Sequence, residues 1–280
     1  MAERVGAKLL NMDITYGPEI RFVPPPRKPF SQLLPAGGLP AQLAARFLPL
    51  VPQRFINAMI KRLLVTWQHP EDKLFAEGAV LINTLGKRFC NEKMTPEREI
   101  AIAEKPKKIC YLLLDRRLIQ LFSEWPYYIS TAPEIAYAYA GDYRRMRPDI
   151  TVVASELDRI ANPRGISAAH LQSTVKTFNR YACGEMQDPF GRSGDGKPLE
   201  NGQWMLIGPA KAYFSTAEGG VAINTSFQVL DAANQPIEGL YAVGSNGLSG
   251  MVLWGHGLHI AWAITSGRLL GTLLGRAQNF

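Results

Sequence analysis

The chain has 280 residues, 46% of them hydrophobic and 20% charged, which suits one large folded domain or two modest ones and excludes a disordered protein. Thirty-one basic against 24 acidic residues leave a formal charge of +7. The cations stand singly or in pairs (Lys61-Arg62, Lys107-Lys108, Arg116-Arg117, Arg144-Arg145), so a solvated basic surface is expected and nucleic acid is not expected as a partner.

Three widely spaced cysteines, Cys90, Cys110 and Cys183, argue against a disulfide framework and against zinc, and no metal site is expected. A cytoplasmic setting fits this set best. The first ten residues, MAERVGAKLL, break every apolar run with a charge and do not read as a signal peptide. The longest apolar stretch, residues 257–274, carries His259 and Arg268 and is short for a membrane span.

In chain order, residues 1–13 have helical apolar spacing (Val5, Leu9, Leu10) and run into an extended Ile14-Thr15-Tyr16. Residues 18–40, with Pro24-Pro25-Pro26, predict an irregular surface excursion. Residues 39–67 predict an amphipathic helical region broken at Pro49 and Pro52. It reads either as a helical pair capping a core or as a lip for substrate access, resting on a membrane surface. Residues 79–83 predict a strand, 88–90 a second short strand, and 110–115 a buried strand. Residues 116–124 and 133–140 predict helices, and Ser155 and Ser167 are candidate N-caps. The helix after Ser167 carries Leu171, Val175, Phe178 and Tyr181 near helical spacing, and residues 184–201 form a polar, Gly-rich connection.

Residues 221–223 and 227–230 predict paired strands, and Asn234-Gln235-Pro236 a turn. Leu240-Tyr241-Ala242-Val243, ending at Gly244, has the apolar pattern of a parallel strand buried on both faces. A helix from about Gly257 follows, with Gly267, Gly271 and Gly275 four apart as if lying close to a sheet.

Two segments carry the functional reading. Asn83-Thr84-Leu85-Gly86-Lys87-Arg88-Phe89-Cys90-Asn91-Glu92 resembles the "N-x-x-G-x-R-F-x-N-E" hairpin of the FAD-dependent oxidoreductase family of soluble fumarate reductases, succinate dehydrogenase flavoproteins and 3-ketosteroid dehydrogenases. Gly239-Leu240-Tyr241-Ala242-Val243-Gly244, followed by a helix with Ser266-Gly267-Arg268, resembles the family's closing strand and last helix. Between them, in order, lie similar pieces: Phe178-Asn179, Asp188-Pro189-Phe190-Gly191-Arg192, Gly208-Pro209-Ala210 and Gly219-Gly220-Val221.

The resemblance implies FAD as cofactor, with Gly244, Ser245, Gly257, Leu258 and His259 at flavin-contacting positions. The family often has Glu where Ser245 stands. The physics of the segment agrees, because a glycine lets backbone approach a flat ring and a helix N-terminus favours the negative charge of a reduced one. The family's phosphate-binding G-x-G-x-x-G does not occur in the chain. The resemblance therefore implies that residues 1–13 are the tail of an FAD-binding domain, 14–212 a cap, and 213–280 the C-terminal part of the FAD-binding domain. The expected fold class is an α+β cap plus the C-terminal portion of an α/β, Rossmann-like FAD-binding domain.

The family's dicarboxylate-binding cations are replaced. Phe75 stands at the proton-donor position, Ser215-Thr216-Ala217-Glu218-Gly219-Gly220 replaces "H-H-T-M-G-G", and Trp254 replaces the clamp arginine. A small hydrophobic, steroid-like substrate is therefore expected, with Phe75, Leu253 and Trp254 lining its site. His256 and Tyr213 are the candidate catalytic residues, with Tyr16, Tyr137 and Tyr139 also available. His69 and His170 read as packing residues. The alternatives are a fumarate reductase-like enzyme with an altered site, and a non-catalytic cap that binds or scaffolds.

Overall fold

The computed structural model describes residues 1–26, 37–193, 197–255 and 257–277. In chain order the elements begin with β1 (Leu9–Leu10), β2 (Thr15–Tyr16), β3 (Glu19–Phe22), α1 (Gly38–Phe47), α2 (Gln53–Trp67), α3 (Asp72–Ala76) and β4 (Val80–Ile82). Next come α4 (Glu97–Ala103), β5 (Cys110–Leu114), α5 (Arg116–Leu121), β6 (Ser130–Ala132), β7 (Ala136–Ala138) and α6 (Ala140–Met146). They are followed by β8 (Thr151–Ala154), α7 (Leu157–Ala161), α8 (Ala168–Ala182) and β9 (Trp204–Tyr213). The last are β10 (Thr216–Ala217), β11 (Gly220–Val221), β12 (Gln228–Leu230), β13 (Pro236–Tyr241) and α9 (Leu258–Ala277). They form two compact units, Glu19–Tyr213 and a smaller one of Met1–Pro18 with Phe214–Phe280.

The larger unit is organised by its two most apolar strands. Every residue of β5 is buried, and β9 opens with the buried run Trp204, Met205, Leu206 and Ile207. They pair antiparallel at the middle of a sheet ordered β3-β9-β5-β4, with β8 also on β9. Asp115 caps α5 through the Leu118 amide at 2.8 Å, and Ser167 caps α8 through the His170 amide at 3.3 Å. α8 buries Leu171, Val175 and Phe178, as its spacing predicts. The expected Ser155 cap is displaced by one residue, since Glu156 precedes α7.

Residues 133–140 are not a helix. Pro133 followed by Glu134 at φ 65° makes a tight turn, closed by the Ile135 amide on the Ala132 carbonyl at 3.0 Å, and this folds β6 back on β7. Residues 88–90 form no strand, because the Arg88 side chain is drawn into a buried ionic cluster instead. There the Glu92 carboxylate accepts from Arg88 Nε and Nη2, both at 2.8 Å, and from Arg192 Nη1 at 2.9 Å, while Arg88 Nη1 donates to Asp188 at 2.8 Å. The charged residues of the 83–92 motif and of the Asp188–Arg192 piece thus meet each other in the core. Gly86 of the same motif sits at φ +81°, where a Cβ would lie 2.9 Å from Ile166 Cγ2 and 3.3 Å from the Leu171 amide nitrogen.

The smaller unit is held by short antiparallel pairs: β1 with β11, β2 with β10, and β12 with β13. Residues 1–13 are not a helix, since Gly6 at φ 87° stops a single 3-10 turn, Ala2–Val5, before β1. The expected parallel strand at 240–243 is also corrected. β13 ends at Tyr241, pairs antiparallel with β12, and residues 240–243 are half-buried. A strand buried on both faces needs sheet neighbours and covering helices, and all strand pairs among the described residues are antiparallel. Nor does the glycine stripe of α9 meet a sheet: a Cβ at Gly267, Gly271 or Gly275 would have nothing within 4 Å. α9 is anchored by its other side, where Ser266 Oγ accepts from the Gly244 amide and Trp262 Nε1 donates to the Gly244 carbonyl, both at 3.0 Å.

Candidate functional site in the smaller unit

The connection between β10 and β11 places Glu218 beneath the start of α9. Its carboxylate is fully buried and accepts three bonds: from the Leu253 amide at 3.0 Å, His259 Nε2 at 2.9 Å and Thr216 Oγ1 at 3.2 Å. Burial pushes the Glu218 carboxyl up, but the Leu253 amide and the His259 ring outweigh it and hold the group below the usual carboxylate range. An ionised carboxylate only accepts, so His259 carries a proton on Nε2. The ring is thereby oriented with its Nε2 toward Glu218.

Beside this pair lies an exposed aromatic ledge. Trp254 follows Leu253, whose amide is fixed on Glu218, and remains 60% exposed. The Tyr16 ring lies 6.4 Å from it at a tilt of 47°, and Val252 and Met12 are also exposed. An apolar ring could be held against such a surface, and the Glu218 carboxylate fixes the amide of the residue that precedes Trp254.

Glu218 was not singled out as a catalytic candidate in the sequence. The signal available was an acidic residue beside Gly219-Gly220 at a position where the resemblance places methionine. Of the expected flavin-contacting residues, Gly244 is buried at φ +59° with its amide and carbonyl both bonded to α9, so it acts as a spacer. Ser245 is exposed in the following turn, Gly257 at φ +81° precedes α9, Leu258 is exposed, and His259 faces Glu218. His256 lies outside the described residues. Tyr213 ends β9 in the larger unit, paired with Glu19.

Phe75 is not a lining residue. It is fully buried under the Arg98 guanidinium, 4.3 Å from its ring centroid, because α3 turns that side chain into the core. Tyr137 packs with Trp125 and Tyr128 at 5.0 and 4.8 Å, and Tyr139 precedes α6. His170 Nδ1 lies 3.1 Å from the Leu85 carbonyl and His69 lies 3.6 Å from Glu19. Burial pushes the Cys90 thiol up to about 12, which leaves it no thiolate character at neutral pH.

A family model described as an FAD binding domain matches residues 38–255. A probable fumarate reductase of Shewanella frigidimarina is 28% identical over 197 residues, covering 69% of this chain and 30% of that protein. A fumarate reductase of Schizosaccharomyces pombe is 30% identical over 208 residues, covering 71% of this chain and 36% of that protein. The solved open conformation of a flavocytochrome c3 fumarate reductase aligns over 97% of this chain and 38% of its own, with a TM-score of 0.57 at 21% identity, a likeness of fold. The chain belongs to this FAD-binding family of oxidoreductases, whose cofactor is FAD, and it spans about a third of the length of these curated relatives.

The residues present fit one end of that cofactor. At Gly257 the backbone is left-handed with open space where a Cβ would stand, directly before an exposed helix start. Such backbone can meet the edge of a flat ring. No G-x-G-x-x-G occurs among the 280 residues to hold the pyrophosphate.

Replacing Glu218 by glutamine should destabilise the smaller unit by about 1–3 kcal/mol at neutral pH, since buried donors lose an ionised acceptor. The folded pKa is depressed, so the stabilisation is present above the unfolded value of 4.5 and is lost as pH falls through the folded one. Melting curves of E218Q and the parent protein should differ at pH 7 and converge below pH 4.5. A constant gap would show that Glu218 is not held ionised.

Proposed function

We propose that the chain is the cap and flavin-edge part of an FAD-dependent oxidoreductase acting on a C–C bond beside a carbonyl in an apolar, ring-shaped substrate. The observation that supports this most is the buried Glu218 carboxylate bonded to the Leu253 amide, next in the chain to the exposed Trp254, which stands where the family resemblance places a clamp arginine. A buried anion there disfavours a dianionic substrate, and an exposed indole favours an apolar one. When bound, FAD supplies the two-electron chemistry. The ledge positions the substrate, Glu218 orients His259, and His259 Nδ1 holds or accepts the proton that accompanies a change of C–C bond order. The start of α9 would hold the flavin with the positive end of its dipole.

Binding separates this from a fumarate reductase-like reading, which the names of the relatives favour. Tryptophan fluorescence titration should give a 3-ketosteroid at least tenfold tighter binding than fumarate. Trp254→Ala should weaken the steroid by about tenfold, equivalent to about 1.4 kcal/mol. Tighter binding of fumarate than of the steroid would overturn the apolar-substrate proposal.

A further inference from the structure

The chain's positive charge is not spread evenly. Between residues 20 and 70 there are seven basic residues and no acidic one, whereas the remainder holds 24 of each, so the formal +7 arises within this segment. Arg27 and Lys28 lie outside the described residues, Arg21 bonds Glu19 at 2.7 Å, and Lys61 bonds Asp142 at 3.1 Å. Arg46, Arg54 and Arg62 are exposed on α1 and α2, and no carboxylate pairs with them among the described residues.

The same two helices carry apolar residues that the core does not use. Leu39, Leu43 and Phe47 recur every fourth residue on α1, and Phe55, Met59, Leu63 and Trp67 do so on α2. All seven are exposed, Leu39 at 74% and Phe55 at 57%, and Leu50 between the helices is 75% exposed. The core needs of α2 are met elsewhere on the helix: Ile60, Leu64 and Val65 join the main core, while α2 packs on β6, β7 and α6. Solvated helices rarely leave such a second apolar stripe.

We propose that α1, the turn at Leu48–Leu50 and α2 dock the protein on an anionic lipid bilayer, with the apolar stripes in the acyl boundary and Arg46, Arg54 and Arg62 at the headgroups. Charge complementarity selects this occupant. A second copy would set an acid-free cationic surface against itself, and a nucleic acid would leave the leucine and phenylalanine stripes in water. No described helix is long and apolar enough to cross a membrane, which accords with helices lying in the interface plane.

Vesicle flotation tests this, because aggregates sink while bound protein rises. The purified chain should float with vesicles of phosphatidylcholine containing about 30% phosphatidylglycerol and remain at the bottom with phosphatidylcholine alone. Each basic residue near such a surface is worth roughly fivefold in partition, so Arg54→Glu with Arg62→Glu should reduce flotation at least tenfold. Leu50→Ser with Phe55→Ser should do likewise. These side chains are exposed, and unchanged circular dichroism confirms the fold of each variant. Equal flotation on neutral vesicles, none on either, or full flotation of the serine variant would overturn the proposal. So would a stable dimer that the serine variant abolishes in a chain that never floats.

Discussion

Glu92→Ala should cost the larger unit about 3–5 kcal/mol, the loss expected when a buried ion pair is broken and its partners stay buried. Glu92 is fully buried, both its oxygens are engaged, and Arg88 and Arg192 lie around it almost without solvent contact. For a unit of this size that is about a 10 °C fall in melting temperature. The contrast is Arg145→Ala, which also removes one partner of an ion pair, with Asp142 at 2.5 Å, but from a side chain 69% exposed. A change below about 1 kcal/mol is expected there. Differential scanning calorimetry of both variants decides. If E92A melts with the parent protein, the motif residues are not what holds this unit together.

The purified 280-residue chain should be nearly colourless. A helix end contributes about 0.3–2 kcal/mol toward an anionic group, whereas micromolar affinity needs about 8 kcal/mol. Ring stacking on a residue such as Trp254 adds about 1 kcal/mol and leaves the sum well short. The groups that would hold the pyrophosphate are not encoded in these residues, and exposed apolar positions on α9, including Ile260 and Ile264, favour self-association. Absorbance at the flavin band after purification in excess FAD should correspond to well under a tenth of an equivalent. A yellow protein with near-stoichiometric FAD would show that the cofactor is held by residues other than those assigned.

Local patterns were legible where they were self-sufficient. Ser167 followed by apolar residues at helical spacing gave α8, the apolar run 110–114 gave the central β5, and Pro49 and Pro52 separated α1 from α2. Each depends on contacts within a few residues or on a burial pattern written directly into the chain. The misreadings came where a distant partner, or a single φ value, decided. Residues 133–140 have helix-compatible residues, but Glu134 at φ 65° makes them a hairpin. The run 240–243 has the composition of a fully buried strand, but its neighbours leave it half-covered.

The sequence by itself determined the family, through an ordered set of motifs, and with it the cofactor. Only the tertiary structure decided what the residues do. It joined Arg88, Glu92, Asp188 and Arg192 into one buried cluster, because residues 100 positions apart satisfy each other's charge away from water. It sent Phe75 into the core. And it brought Glu218 to His259, 41 residues away, since a buried carboxylate takes its partners from whatever elements the fold sets around it, and their spacing along the chain carries no pattern to read.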